Sequence, residues 1–352
     1  MKTIIFTGGG SGGHVIPALT LIQEIKKSYS ETKIVYLGGI KSIEREVISE
    51  VEGVQYYPIQ TGKLRRYFSV ENFIDFFRFV FGILQAFIIL LKYSRNSLVF
   101  STGGFVALPV AIAGRLQGKK VWIHEQTSRV GLANKISSYF ATKVFISFEE
   151  SKKFFPTEKT IHSGYPLKSN CFEALESSLD VEGQNVLEHS LPVLLVTGGG
   201  NGSALLNDFV KENLNELTRD YLVIHQVGKN QFNEFISLKS ENYIPLKFAS
   251  NLVELMKVAQ ITISRAGAGT VMELIALKKK SVFVPLKIAQ KNEQFHNASE
   301  AKKLLGSLVV SEDEFKSISW NKLRDDFETS NSETSDFELK NGTKFLVKEL
   351  QK

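Results

Sequence analysis

Lys2-Thr3-Ile4-Ile5-Phe6 runs straight into Thr7-Gly8-Gly9-Gly10-Ser11-Gly12-Gly13-His14, and a helical pattern follows from Val15-Ile16-Pro17. A short β-branched run that ends in glycines and opens a helix can aim backbone N–H groups at phosphate oxygens. The design returns in the second half as Leu194-Leu195-Val196 followed by Thr197-Gly198-Gly199-Gly200-Asn201-Gly202-Ser203. Two such turns imply two similar halves serving one ligand. In the first turn only His14 has a side chain able to titrate near neutral pH.

Outward from the first turn, short strands alternate with helices. Strands are expected at 3–6, 33–37, 98–101, 120–123 and 143–146, with helices at 15–27 and from Thr102-Gly103-Gly104-Phe105 through Gly114. This rhythm is that of an α/β fold with a parallel, doubly wound sheet. It weakens over 148–190, which is rich in Ser, Lys and Glu and contains Ser163-Gly164-Tyr165-Pro166. It resumes with strands at 192–196, 221–226, 261–264 and 281–284. The expected division is a domain over 1–163 and a second over 164–336, with 328–335 as a linker to a last helix at about 337–352.

A chain of 352 residues can build two cores, and 43% apolar against 23% charged residues excludes a largely disordered protein. The net charge of +6 fits an acidic partner without choosing among nucleic acid, anionic lipid and phosphorylated substrate. Cys171 is the sole cysteine, which excludes an internal disulfide and points to a reducing compartment. The apolar run before the glycines is too short for a signal peptide.

Gly8-x-Gly10-x-x-Gly13 matches the dinucleotide fingerprint. A dehydrogenase also needs an acid at the end of the second strand. That position reads Leu37-Gly38-Gly39-Ile40, with Glu44 only later, inside an expected helix. Phosphate or diphosphate binding is therefore favoured over a nicotinamide cofactor or a purely structural turn, with His14 placed to act as general base toward a hydroxyl. Ser264-Arg265-Ala266-Gly267-Ala268-Gly269-Thr270-Val271-Met272-Glu273 follows a strand and opens a helix. There Glu273 could accept from two ribose hydroxyls or merely balance the helix dipole. His124-Glu125-Gln126 ends a strand on the ligand side of the sheet. Six histidines with no HExxH spacing and no cysteine partner make a metal site unexpected, and the chain has neither Asp-x-Asp nor a Walker A sequence.

Residues 73–91 are unusual. Phe73, Phe76, Phe77, Val80, Leu84, Phe87, Ile88 and Leu91 mark one helical face, while Phe79, Phe81, Ile83, Ile89 and Leu90 make other faces apolar too. Asp75, Arg78 and Gln85 interrupt a membrane span, and Lys63, Arg65, Arg66, Lys92 and Arg95 flank the stretch. A helix lying on an anionic leaflet and a helix packed within the domain are both compatible with this pattern.

Together these residues resemble the MurG family, peripheral-membrane enzymes that add N-acetylglucosamine to lipid I to make lipid II. The family's opening turn is matched by Gly9-Gly10-Ser11-Gly12-Gly13-His14 and its HE loop by His124-Glu125-Gln126 with Gly131-Leu132-Ala133-Asn134-Lys135. Gly198–Gly202, Ser264–Glu273 and Gln294-Phe295-His296-Asn297-Ala298 match its later motifs in order. The resemblance implies a GT-B fold: two Rossmann-like domains with parallel sheets, a cleft between them, and a C-terminal helix packed back on the first domain. It implies UDP-N-acetylglucosamine held by Thr127, Lys168, Gly200, Asn201, Ala249, Ala268, Gly269, Thr270, Val271, Met272, Glu273 and Gln294, with Ser11, Gly12 and Gly13 also in contact. The same Ser11, Gly12 and Gly13 would meet the acceptor diphosphate, and His14 would be the base of an inverting, metal-independent transfer without a cofactor. Lys63, Arg65, Arg66, Phe73, Phe76, Phe77 and Val80 would touch the cytoplasmic side of the cell membrane. Implied partners are the UDP-sugar, lipid I, the anionic membrane surface and proteins of cell-wall synthesis and division, not nucleic acid. Thr127 stands where the family often has Asn, Lys168 where it has Arg, Gly200-Asn201 where it has Ser-Gln, and Glu293 where it commonly has Gln. The rivals are a UDP-sugar epimerase on the same fold, a nicotinamide oxidoreductase and a membrane-bound UDP-sugar scaffold.

Overall fold

A computed structural model of the chain describes residues 2–62, 70–287, 292–331 and 339–352, with the backbone alone at 70–74. It divides into two compact units, one of Met1–Leu167 with Lys340–Lys352 and one of Lys168–Leu339.

In the first unit β1 (Thr3–Thr7), α1 (Gly12–Ser28), β2 (Lys33–Gly39), α2 (Ile43–Ser49), β3 (Val54–Ile59), α3 (Val70–Leu90) and β4 (Leu98–Ser101) follow in turn. Then come α4 (Ala107–Leu116), β5 (Lys120–Glu125), α5 (Leu132–Phe140), β6 (Lys143–Ile146) and β7 (Thr160–His162). The seven strands pair in parallel in the order β3-β2-β1-β4-β5-β6-β7. Alternate residues of each strand serve opposite faces. Ile5, Val35, Val99, Val121 and Val144 pack with α3 and α4, while Phe6, Tyr36, Phe100, Trp122 and Phe145 pack with α1. Both faces are covered, so these strands read as continuous apolar runs. The order reverses between β1 and β4, and the loops after those strands flank that switch point, where open α/β sheets bind ligands.

α1 begins at Gly12, earlier than the 15–27 expected. Glycine is a poor helix former, but Ser11 is extended and its carbonyl accepts from the N–H groups of His14 and Val15, which closes the first turn. His14 therefore sits inside that turn.

The second unit opens with a short antiparallel pair, β8 (Asp180–Val181) and β9 (Gln184–Asn185). Then follow β10 (Val193–Thr197), α6 (Ala204–Glu212), α7 (Leu214–Asp220), β11 (Leu222–Gln226), α8 (Phe232–Ile236), β12 (Tyr243–Leu246) and α9 (Leu252–Val258). β13 (Ile261–Ser264), α10 (Ala268–Ala276), β14 (Val282–Phe283), α11 (Glu293–Leu305), β15 (Leu308–Val309), α12 (Glu312–Phe315) and α13 (Trp320–Thr329) complete it. Its six parallel strands run β12-β11-β10-β13-β14-β15, with the switch point between β10 and β13. One core joins the strands to Leu206 and Phe209 of α6 and to Trp320 and Leu323 of α13.

The final helix α14 (Gly342–Gln351) belongs to the first unit. Its Leu346, Val347 and Leu350 enter the core beside α1, and Glu349 pairs with Lys143 at 3.0 Å.

α3 packs on α4 and β3 through Ala86 and Leu90, with Ile83, Phe87 and Ile89 partly covered. Gln85 does not merely interrupt the apolar run, because its side-chain oxygen accepts from the Gln60 N–H at 2.7 Å. The exposed apolar stripe is Phe76, Phe77, Val80, Phe81, Leu84, Ile88 and Leu91. Relative to the face read from sequence, Phe87 turns inward and Phe81 outward. A helix apolar nearly all round gives no pattern from which its covered side can be centred. The expected membrane residues Lys63, Arg65 and Arg66, and the Phe73 side chain, lie outside the described residues. No helix among the described residues is long and apolar enough to cross a membrane.

Candidate active site

In the first unit, Gly8 and Gly9 are required by packing. A Cβ at Gly8 would lie 2.0 Å from the Thr102 hydroxyl, and one at Gly9 2.3 Å from the Glu44 carboxyl. Gly12 has no protein atom within 4 Å of such a Cβ, and Gly13 only the Ser11 hydroxyl at 3.7 Å. No side chain caps α1, so its first N–H groups face open space.

Glu44 overturns one expectation. It lies in α2, but its buried carboxylate folds back to the end of β2, accepting from Gly39 N at 2.9 Å and Gly10 N at 3.1 Å. An acid does reach the strand end. There it is held by one N–H of the turn and one of the strand end, and Tyr36 and Tyr56 brace the two segments by donating to the carbonyls of Gly8 and Gly39.

His14 Nδ1 lies 2.9 Å from the Thr102 carbonyl and 3.2 Å from Gln126 Oε1, so the loops after β1, β4 and β5 converge on one ring. Thr102 in turn donates its hydroxyl to the His14 carbonyl at 2.7 Å. Gly103, at φ +99°, lets this loop approach: a Cβ there would meet His14 Nδ1 at 3.1 Å and the Asn134 amide at 2.9 Å. His124 is fully buried, and burial lowers its pKa to about 4. Glu125 accepts from Asn134 Nδ2 at 3.0 Å and from both the N–H and the hydroxyl of Thr127, so the Thr127 side chain is engaged within its own loop.

In the second unit, Gly199 and Gly202 adopt positive φ (+79° and +76°), while Gly200 has nothing within 4 Å of a Cβ and Asn201 is exposed. Gln226 donates to the Gly199 carbonyl at 2.9 Å, and Arg265 spans the switch point by donating to the Ser203 hydroxyl at 2.9 Å. α10 also starts without a side-chain cap, at Gly267. Val271 and Met272 are buried in the core, so only their backbone could meet a ligand. Ala249 and Ala268 are buried as well, while Gly269 and Thr270 are partly open. Glu273 is partly open, and desolvation pushes its carboxyl up to about 7; Lys168 pulls it back down and Glu254 raises it further. Beside it, Asn170 donates to Glu254 at 2.8 Å, and the buried Cys171 thiol is pushed up to about 12, mainly by desolvation. Gln294 Oε1 accepts from Leu286 N at 3.0 Å and Asn297 donates to the Ala266 carbonyl, which ties α11 to the loop before α10. Among the described residues no three His, Cys, Asp or Glu side chains are grouped to hold a metal ion.

Residues 4–146 match the glycosyltransferase family 28 N-terminal domain and residues 193–348 its C-terminal domain. A protein of Clostridium botulinum (strain Langeland), a UDP-N-acetylglucosamine–N-acetylmuramyl-(pentapeptide) pyrophosphoryl-undecaprenol N-acetylglucosamine transferase, is 39% identical over 320 residues, covering 90% of this chain and 88% of its own. The chain belongs to the MurG family of glycosyltransferases. The fold agrees: MurG from Acinetobacter baumannii superposes with a TM-score of 0.72 at 22% identity, covering 100% of this chain and 99% of that one. A UDP-N-acetylglucosamine 2-epimerase from Neisseria meningitidis shares the GT-B architecture at a TM-score of 0.63 and 15% identity, covering both chains in full. The architecture therefore does not separate transferase from epimerase, whereas the sequence likeness to the MurG family does.

The structure brings Ser11, Gly12, Gly13 and His14 together in one unit. In the other, the 199–203 turn adjoins the start of α10 through Arg265, and Lys168 lies near Glu273. Four residues around the first turn had no assigned role from sequence: Glu44, Thr102, Gln126 and Asn134. Gln126 and Asn134 do fall inside the quoted motifs, which was the available signal.

Proposed function

We propose that this chain transfers N-acetylglucosamine from UDP-N-acetylglucosamine to undecaprenyl-diphosphate-linked N-acetylmuramoyl-peptide, converting lipid I to lipid II. The observation that carries the site assignment is His14 in the first turn of an uncapped helix, at the switch point of the first sheet, with open space before Gly12 and Gly13. Those N–H groups suit the acceptor's diphosphate, and the imidazole beside them suits its sugar hydroxyl.

In this mechanism His14 takes the proton from the acceptor hydroxyl as that oxygen attacks the anomeric carbon from the face opposite UDP. The bond from that carbon to the UDP oxygen breaks, and the configuration inverts. The charge left on UDP is met by N–H groups of the 199–203 turn and by the uncapped start of α10. Glu273 would accept from the ribose hydroxyls. Lys168 keeps a positive charge near it but lacks the planar fork of arginine.

The same proposal places the exposed stripe of α3 on an anionic membrane surface, where seven apolar side chains in a row would leave water. His14→Ala tests the core of the reading. Turnover should fall by roughly 10²–10⁴-fold, the range for loss of a general base, while UDP-N-acetylglucosamine still binds. Turnover within a few fold of the unaltered enzyme would remove His14 from the base role.

A further inference from the structure

We infer that Gln126 and His124 are positioning residues that hold His14 as its Nδ1–H tautomer and leave Nε2 free to take the acceptor's proton. This rests on the reading of His14 as the base, and it specifies which atom acts and what prepares it.

The assignment follows from two carbonyls that can only accept. At one end, the Gly164 carbonyl lies 3.2 Å from His124 Nε2, so that nitrogen carries the proton and donates. His124 Nδ1 is then a lone pair. Gln126 Nε2 lies 3.1 Å from it and 3.1 Å from the His124 carbonyl, so both neighbours demand the NH2 side of the amide there. That fixes Gln126 Oε1 on the opposite side, 3.2 Å from His14 Nδ1. At the far end, the Thr102 carbonyl approaches the same Nδ1 at 2.9 Å. With two acceptors facing it, Nδ1 carries the hydrogen. The reverse arrangement would set lone pairs against each other at both carbonyls and at Gln126.

Imidazole in water does not impose this choice, so the protein supplies it. His124 and Gln126 are 0% and 1% exposed, which removes water as an alternative partner for either. His124 cannot itself reach substrate, and burial keeps it neutral, as the arrangement requires. The Ser147 hydroxyl, 3.4 Å from His124 Nε2, can rotate to accept and does not oppose it. A base whose lone pair points the wrong way must rotate or exchange its proton before each turnover.

The test is 15N NMR of the full chain with 15N-labelled histidine, recorded across pH so that the neutral ring is isolated, with His14→Asn assigning the resonances. His14 should show a protonated Nδ1 and an unprotonated Nε2. Gln126→Met keeps the volume and removes all three of these bonds. With an unchanged melting temperature it should raise the Nε2–H share and lower kcat about tenfold, with KM for UDP-N-acetylglucosamine held within twofold. Gln126→Glu, which keeps an acceptor toward His14, should retain the Nδ1–H form. A His14 found as Nε2–H in the unaltered enzyme would overturn the inference, as would a Gln126→Met variant with kcat within twofold of it. Failure of the base reading would show separately, as turnover surviving in His14→Ala.

Discussion

With Glu273 on the donor's ribose, as proposed, donor binding should depend on pH. The Glu273 carboxyl is pushed up to about 7 by desolvation, with Lys168 opposing and Glu254 adding to the shift. A ribose held by two hydroxyl groups binds the ionised form, so binding should release a proton. UDP-N-acetylglucosamine has no group of its own titrating between pH 6 and 8, and its affinity should rise roughly tenfold over that interval. In Glu273→Gln the pH dependence should vanish and affinity should fall by about 1.5–3 kcal/mol, the loss of hydrogen bonds to a charged acceptor. Isothermal titration in two buffers of different ionisation enthalpy reads both effects. Equal affinity at the two pH values with no proton release would remove Glu273 from the ribose. The place of Glu273, about one turn into a helix that follows a strand, was legible in the sequence. The return of Glu44 to Gly10 and the approach of Gln126 to His14 were not. Both depend on segments far apart in the chain, and neither leaves a periodic signal.

Among the elements, nine strands were legible as unbroken apolar runs, whereas β3, β7, β12, β15 and the β8–β9 pair, short or half-exposed, were not. The start of α1 was misplaced, since Gly12 and Gly13 argue locally against helix while the Ser11 carbonyl closes the turn. α3 was legible as a helix but not in its orientation. It covers Ala86 and Leu90 and exposes Phe81 at 55% and Ile88 at 62%, more surface than packing within the unit can explain. Replacing Phe81 and Ile88 by Ser should weaken sedimentation with phosphatidylglycerol vesicles by at least tenfold, from about 1.5–3 kcal/mol for each large side chain withdrawn. The melting temperature should hardly change, because both side chains already face water. Undiminished sedimentation would take α3 off the membrane.

At the scale of the whole molecule, two buried imidazoles make stability fall toward acid pH. His124 and His225 are lowered by burial to about 4 and about 3, and His225 sits between the Tyr243 hydroxyl and the Asn207 side chain. Both protonate in the unfolded chain near pH 6.5, so their contribution is complete above that pH and is lost as pH falls toward 4 and 3. Glu273 has the opposite sign, because its raised pKa makes the folded state bind the extra proton between about pH 4.5 and 7. Two groups against one leave a net loss of about 1.4 kcal/mol per pH unit from these three between pH 6.5 and 4.5. Removing the opposing group in Glu273→Gln should roughly double that slope in urea titrations; an unchanged slope would refute the bookkeeping.

The two halves of the chain were legible because the same glycine turn opens each sheet. The functional class was legible because several motifs stand in a fixed order, not because of any single one. Sugar transfer from UDP to a lipid diphosphate is read most directly from UDP release by the purified enzyme, supplied with UDP-N-acetylglucosamine with and without a lipid I analogue in detergent. One UDP should appear for each N-acetylglucosamine joined to the acceptor, and none without acceptor. Donor consumed equally in the absence of acceptor, or no UDP released in its presence, would contradict the account.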